Sequence, residues 1–152
     1  MFNIVLVNPQ IPPNTGNIGR ICVNTGATLH LIKPLGFSID DKAIKRAGLD
    51  YWHKLNLKVW ESLDEFLAVT PHECYHLATT KVEKPYFQAQ FKPGDYLLFG
   101  SETQGLPLWL IDRFKSQAVT IPMTKEGRSL NLAVSVGIIL YEGIRQNFGD
   151  FG

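Results

Sequence analysis

The stretch that most constrains this chain is residues 121–141, IPMTKEGRSLNLAVSVGIILY. It reads as an apolar strand, a short polar loop, and then a helix whose Leu132, Ala133, Val134, Val136, Ile138, Ile139, Leu140 and Ile144 leave almost no polar stripe. A surface helix has one apolar face, and a helix apolar on every side must be covered from several directions. In a chain of 152 residues, one of those covers is expected to be a second copy of the chain. Ser129 is the expected N-cap, and with Asn131 it opens a helix whose first backbone N–H groups have no partner within the helix. Such groups face whatever lies beside them, so the ligand is expected at this loop.

The rest of the chain alternates between two periodicities. Residues 2–7 form a continuous apolar run, as a strand buried on both faces does. Further strands are expected at 28–32, 57–60, 74–79, 96–100 and 119–122. The loop NPQIPPNTGN follows the first strand, and its prolines argue against helix before about Asn17. From there Ile18, Ile21, Cys22 and Thr25 recur at helical spacing, with Gly26 as the stop. Asp40 and Asp41 open a short helix through Arg46 that Gly48 closes. Ser62 and Glu65 make a capping-box pattern before Leu63, Phe66 and Leu67, and Pro71 ends that helix. Another helix begins near Pro107. The pattern implies an α/β fold, a mostly parallel sheet with helices on both faces, in one domain spanning residues 1–152.

Composition narrows the function classes without choosing one. A formal net charge of +1 gives no global electrostatic footprint for nucleic acid. Cys22 and Cys74 lie in apolar runs without a CxxC or a His-spaced companion, so they are expected as buried free thiols in a reducing cytosol. His30, His53, His72 and His76 are scattered, and no metal site is expected. The N-terminus lacks the basic flank and apolar length of a signal peptide. No apolar run approaches the roughly 18 to 20 residues of a membrane span. A cytoplasmic protein with no membrane association is expected.

Open parallel sheets bind ligands beyond the carboxyl ends of their strands, and three loops stand there. The first, PPNTGNIGR, has neither GxGxxG nor GxxxxGK[ST], and Lys33 occupies the place of the acid that a dinucleotide fold requires after its second strand. What remains is Arg20 near the start of a helix, suited to a phosphate or a developing oxyanion. The second, FGSETQGLP, brackets Glu102 between two glycines that permit close backbone approach. The third joins Ile121, Pro122 and Met123 to Ser129, Leu130 and Asn131. Taken alone, the first loop reads better as a glycine-containing turn into a helix, the second evenly as a solvated turn, and the third as simple capping with Met123 as a core residue.

Together, NTGNIGR, FGSETQGLP, and IPM with SLNLAVS strongly resemble the three signature motifs of the SPOUT methyltransferases, in the SpoU or TrmH branch. The opening NIVLVNPQIPPNTGNIGR and the segment RAGLDYW resemble the YibK or TrmL group of that branch. The resemblance covers essentially the whole chain. It implies a deep C-terminal trefoil knot, which sequence reasoning would not propose because unknotted connections are the rule. It also implies a homodimer through the C-terminal helix and S-adenosylmethionine as methyl donor, with S-adenosylhomocysteine as product and no metal. The cofactor loops carried over are Leu77, Ala78 and Thr79; Gly100, Ser101 and Glu102; and Ile121, Pro122 and Met123 with Ser129, Leu130 and Asn131.

The implied substrate is tRNA at its anticodon loop, methylated on the ribose 2′-hydroxyl of a wobble cytidine or uridine. Arg20 matches the motif arginine often described as a general base. A guanidinium keeps its proton in nearly all settings, so its expected role is to hold the adjacent phosphate and stabilise the forming alkoxide. Asn14, Glu102 and Asn131 would orient Arg20 or the loops. The last motif has Ala133 where many members carry serine, so no hydroxyl role transfers there. Lys42, Lys45, Arg46, Lys54, Lys81, Lys84, Lys125 and Arg128 are candidates for a basic RNA surface. The alternatives are ribosomal RNA as substrate, against which the small size with no added RNA-binding domain argues mildly, a non-catalytic knotted RNA-binding protein, and a nicotinamide-dependent oxidoreductase.

Overall fold

The computed structural model describes residues 1–47 and 51–151. In chain order the strands are β1 (Asn3–Val7), β2 (Thr28–Ile32), β3 (Leu57–Trp60), β4 (Tyr75–Ala78), β5 (Tyr96–Phe99) and β6 (Ala118–Val119). The helices are α1 (Pro12–Thr25), α2 (Lys42–Ala47), α3 (Leu63–Val69), α4 (Leu108–Arg113) and α5 (Leu132–Gln146). The six strands form one sheet in the order β3-β2-β1-β5-β4-β6, and every pairing is parallel.

The continuous apolar strands are explained by what covers the two faces. Phe2, Ile4 and Leu6 join Ile18 and Cys22 of α1 and Val136, Ile139, Leu140 and Ile144 of α5 in one core. Val5 and Val7 point the other way and join Phe66 and Leu67 of α3 with Leu110 and Ile111 of α4 in a second core. Successive residues of a strand alternate in direction, so a strand between two helical layers is apolar throughout. The last helix meets the first strand closely: a Cβ on Gly143 would lie 3.0 Å from Cζ of Phe2. Leu132, Val136, Ile139, Leu140 and Ile144 of α5 are buried, while Val134 and Tyr141 remain 49% and 50% exposed.

One polar side chain is locked into the core of β2. His30 is 1% exposed, and its Nδ1 accepts from Trp60 Nε1 at 3.0 Å. An indole nitrogen only donates, so the imidazole proton sits on Nε2, which donates to Asn3 Oδ1 at 2.9 Å. Burial, reinforced by the charge of Lys58, pushes the His30 pKa down from 6.5 to about 4.

The structure corrects several sequence expectations. Helix α1 begins at Pro12 rather than near Asn17, with prolines at its first positions. Prolines there cost nothing, because first-turn N–H groups have no partner within the helix. Gly26 does end the helix, with φ 72°. Helix α5 is capped by Asn131, not Ser129: its side-chain oxygen accepts from Val134 N at 3.2 Å. Strand β6 stops at Val119. Beyond it Thr120 N bonds the Lys84 carbonyl at 2.8 Å and Tyr86 N bonds the Thr120 carbonyl at 2.8 Å, and Pro122 has no N–H to extend a ladder. Cys74 lies in a 3-10 turn before β4 and is only half-buried, whereas Cys22 is buried as expected; both are free. Asp41 caps α2, accepting from Ala43 N at 2.7 Å, while the expected stop at Gly48 lies outside the described residues. No helix is long and apolar enough to cross a membrane among the described residues.

Candidate active site

The site is built on a helix start that lacks its own cap. Ile11 precedes α1 and supplies no side-chain hydrogen bond. The missing acceptor comes from the loop after β5. Glu102 Oε1 accepts from Gln10 N at 2.9 Å, and its Oε2 accepts from Ile11 N at 2.9 Å and from Asn14 Nδ2 at 3.2 Å. A carboxylate at a helix N-terminus faces the positive end of the helix dipole.

Two glycines hold Glu102 there. Ser101 and Gly105 form an antiparallel bridge, closed by Gly105 N to the Ser101 carbonyl at 3.0 Å and by Gln104 N to Ser101 Oγ at 3.1 Å. Gly105 has φ 70°, a conformation that L side chains rarely adopt. A Cβ on Gly100 would overlap the carbonyl carbon of Gly105 and the nitrogen of Leu106.

The third loop joins through its cap. Asn131 Nδ2 donates to Asn14 Oδ1 at 3.0 Å, while its own oxygen caps α5. Glu102, Asn14 and Asn131 thus form one hydrogen-bonded line from the loop after β5, across the first turn of α1, to the start of α5.

Beside this line lies a cavity of about 550 Å³, within the ordinary range for small-molecule sites. Of the sequence-predicted residues, Asn14, Ala78, Thr79, Gly100, Ser101, Glu102, Ile121, Met123, Ser129, Leu130 and Asn131 line it. Leu77 does not; it is fully buried in the core against α3 and α4. Pro122 is exposed and does not line the cavity either. Met123, 40% exposed, is a cavity wall rather than core. Sequence reading missed Ile11, Thr80, Phe99, Thr103, Gln104, Gly105, Thr120, Leu132 and Ser135. Phe99, Thr103, Gln104 and Gly105 lie inside the second motif and Leu132 and Ser135 inside the third, while Ile11, Thr80 and Thr120 flank the predicted residues; a place in or beside a motif is the signal they carry. Lys81, expected as part of a basic RNA surface, is the sole basic side chain lining the cavity among the described residues.

Arg20 stands apart. It is exposed and lies six positions beyond Asn14 on α1, about 9 Å along the helix axis and on a different side. Its guanidinium sits over the Tyr51 ring, with Cζ 5.2 Å from the centroid. Among the described residues no three His, Cys, Asp or Glu side chains are grouped so as to hold a metal ion.

The profile of the SpoU rRNA Methylase family matches residues 1–141. A tRNA (cytidine(34)-2'-O)-methyltransferase of Burkholderia cenocepacia (strain HI2424) is 48% identical over 149 residues, covering 96% of this chain and 96% of that protein. A solved structure described as "Structural insights into the 2-OH methylation of C/U34 on tRNA" superposes with a TM-score of 0.91 at 43% identity, covering 98% of this chain and 97% of that one. The SpoU methyltransferase AviRb from Streptomyces viridochromogenes, solved in complex with the cofactor AdoMet, superposes with a TM-score of 0.80 at 27% identity, over 96% of this chain and 57% of that one.

Proposed function

This chain belongs to the SpoU rRNA methylase family, and we propose that it methylates the ribose 2′-hydroxyl of the wobble nucleotide of tRNA, a cytidine or uridine at position 34, using S-adenosylmethionine. The observation that carries this reading is the line Glu102–Asn14–Asn131 beside the 550 Å³ cavity, in a chain alike along its length to a tRNA (cytidine(34)-2'-O)-methyltransferase.

The cavity fits the donor in size and in lining. Loop backbone from Ala78 to Thr79, Gly100 to Ser101 and Ile121 offers peptide donors and acceptors to a purine edge, and Lys81 offers a cation to a carboxylate. When bound, S-adenosylmethionine supplies an electrophilic methyl on a sulfonium, so no metal is needed. The protein's task is position and charge. Glu102 is held by three donors and fixes the start of α1, Asn131 fixes the start of α5, and Asn14 keeps the two in register. Arg20 carries a permanent positive charge that holds a phosphate of the RNA and stabilises oxyanion character on the 2′-oxygen. The proton leaves to a phosphate oxygen or to water, since a guanidinium does not accept it.

The assembly is part of the same proposal: one domain over residues 1–152, acting as a homodimer in the cytoplasm. Exposed Val134 and Tyr141 on α5 support a dimer through that helix. The distance of Arg20 from its own chain's cavity supports a site completed by the second copy. A trefoil knot at the C-terminus is part of the same reading, supported by the likeness of the chain to SpoU methylases and to a solved RNA 2'-O ribose methyltransferase.

The deciding experiment is methyl transfer from labelled S-adenosylmethionine to bulk tRNA from cells lacking this protein, followed by mapping of the labelled nucleotide. Label on the wobble ribose is expected. Transfer only to ribosomal RNA would move the substrate to that class, and cofactor binding without transfer to either would make the protein a non-catalytic binder.

A further inference from the structure

The Ser101–Gly105 turn has a cavity on each side. One is the 550 Å³ site above, and the other, of about 380 Å³, lies between the loop after β1 and the start of α4. Ser101, Thr103, Gln104 and Gly105 line both, so a single turn of backbone separates them. We propose that the second cavity seats the base of the nucleotide being methylated, and that Gln104 reads the polar edge of that base. The inference rests on the function proposed above and names the part of the substrate that this cavity takes.

The chemistry of the lining selects a base over the other parts of RNA. The second cavity has no charged side chain, so it offers a phosphate no counter-charge. Leu106, Pro107 and Leu108 supply an apolar wall for a ring face, and Asn8, Gln10 and Gln104 supply amides. Single-stranded bases are recognised in this way, by contact with the ring face and hydrogen bonds to the edge. The short span between a base and its own 2′-hydroxyl then brings that hydroxyl over the shared turn toward the methyl-donor cavity.

The amides are not equally committed. Asn8 Nδ2 donates to the Ile32 carbonyl at 3.2 Å, and Gln10 Nε2 donates to the Asn8 carbonyl at 2.9 Å. These bonds brace Asn8, which has φ 55°, a left-handed conformation unusual for a residue with a side chain. The side-chain amide of Gln104 makes no hydrogen bond among the described residues; only its backbone N–H is used, toward Ser101 Oγ at 3.1 Å. A carboxamide presents a donor at one end and an acceptor at the other, and rotation exchanges them. The acceptor end suits the exocyclic amino group of cytosine, and the donor end suits the corresponding oxygen of uracil. One residue therefore serves both pyrimidines.

The test uses the full chain and two tRNAs that differ only in cytidine or uridine at the wobble position, with kcat/KM measured on each and the Kd for S-adenosylmethionine measured separately. Gln104→Glu keeps the acceptor and loses the donor, so the cytidine-to-uridine ratio of kcat/KM is expected to rise about tenfold. Leu108→Trp, at a position lining only the second cavity, is expected to lower kcat/KM on both tRNAs at unchanged Kd. An active Gln104→Glu with the wild-type ratio, or Leu108→Trp with wild-type kcat/KM, overturns the proposal. If Gln104→Glu loses cofactor affinity, Leu108→Trp alone decides. Failure of the underlying reading shows differently, as a wild-type protein that methylates neither tRNA.

Discussion

Asn131 donates to Asn14 at 3.0 Å across 117 positions of sequence, and this bond ties the start of the last helix to the start of the first. Asn14 in turn donates to Glu102, so its carboxamide is used at both ends. Asn14→Asp keeps the shape, removes the donor to Glu102, and sets a second carboxylate against the first. With Asn14 8% exposed, the expected loss is about 1–3 kcal/mol, read as a lower midpoint in urea unfolding, together with weaker S-adenosylmethionine binding.

Gly100 and Gly105 fail for different reasons. A Cβ at Gly100 meets backbone, which cannot give way as a side chain does, whereas one at Gly105 meets nothing within 4 Å and is strained only by φ. Gly105→Ala should cost about 1–2 kcal/mol and leave a measurable cofactor Kd. Gly100→Ala should cost more and abolish binding, because the turn that aims Glu102 has to open. Calorimetric titration of the two variants with S-adenosylmethionine checks the order.

His30 makes the fold sensitive to acid. Its folded-state pKa of about 4 lies below its ordinary 6.5, so the unfolded chain binds a proton that the folded chain refuses. The stabilisation is full above pH 6.5 and is lost as pH falls toward 4, by about 3 kcal/mol from this group. Denaturation at pH 7.5 and 4.5 measures the slope. His30→Gln, which can still accept from Trp60, should flatten that slope.

The role proposed for Arg20 is electrostatic rather than that of a base. Arg20→Lys should therefore keep more methyl transfer than Arg20→Ala while staying well below wild type, because lysine retains the charge but not the planar fork. Equal rates for the two variants would sink the electrostatic role.

What the sequence disclosed follows from how each feature is encoded. The alternation of strands and helices, the Ser62 cap and the Gly26 stop are local, and each was readable from a few neighbouring residues. The start of α1 was misjudged because its acceptor, Glu102, is 91 and 92 positions away from the N–H groups it serves. No window of sequence could pair them. Asn131 and Ser129 are equivalent as caps by propensity, and only the presence of Asn14 on the far side selects the asparagine. The cavity loops were legible as motifs, but whether a motif residue faces the cavity, as Ala78 does, or the core, as Leu77 does, is set by strand direction at the end of β4.

The contact of Gly143 with Phe2 also governs how the protein comes into being on the ribosome. Every strand of the sheet has been synthesised once Val119 emerges, yet the face bearing Phe2, Ile4 and Leu6 still lacks α5 as part of its cover. Until the last helix is made, the nascent chain presents that apolar face to its surroundings and has no Asn131 to finish the site. A product truncated before α5 would therefore be a sticky polypeptide rather than a weak enzyme, one for chaperones and proteases to clear.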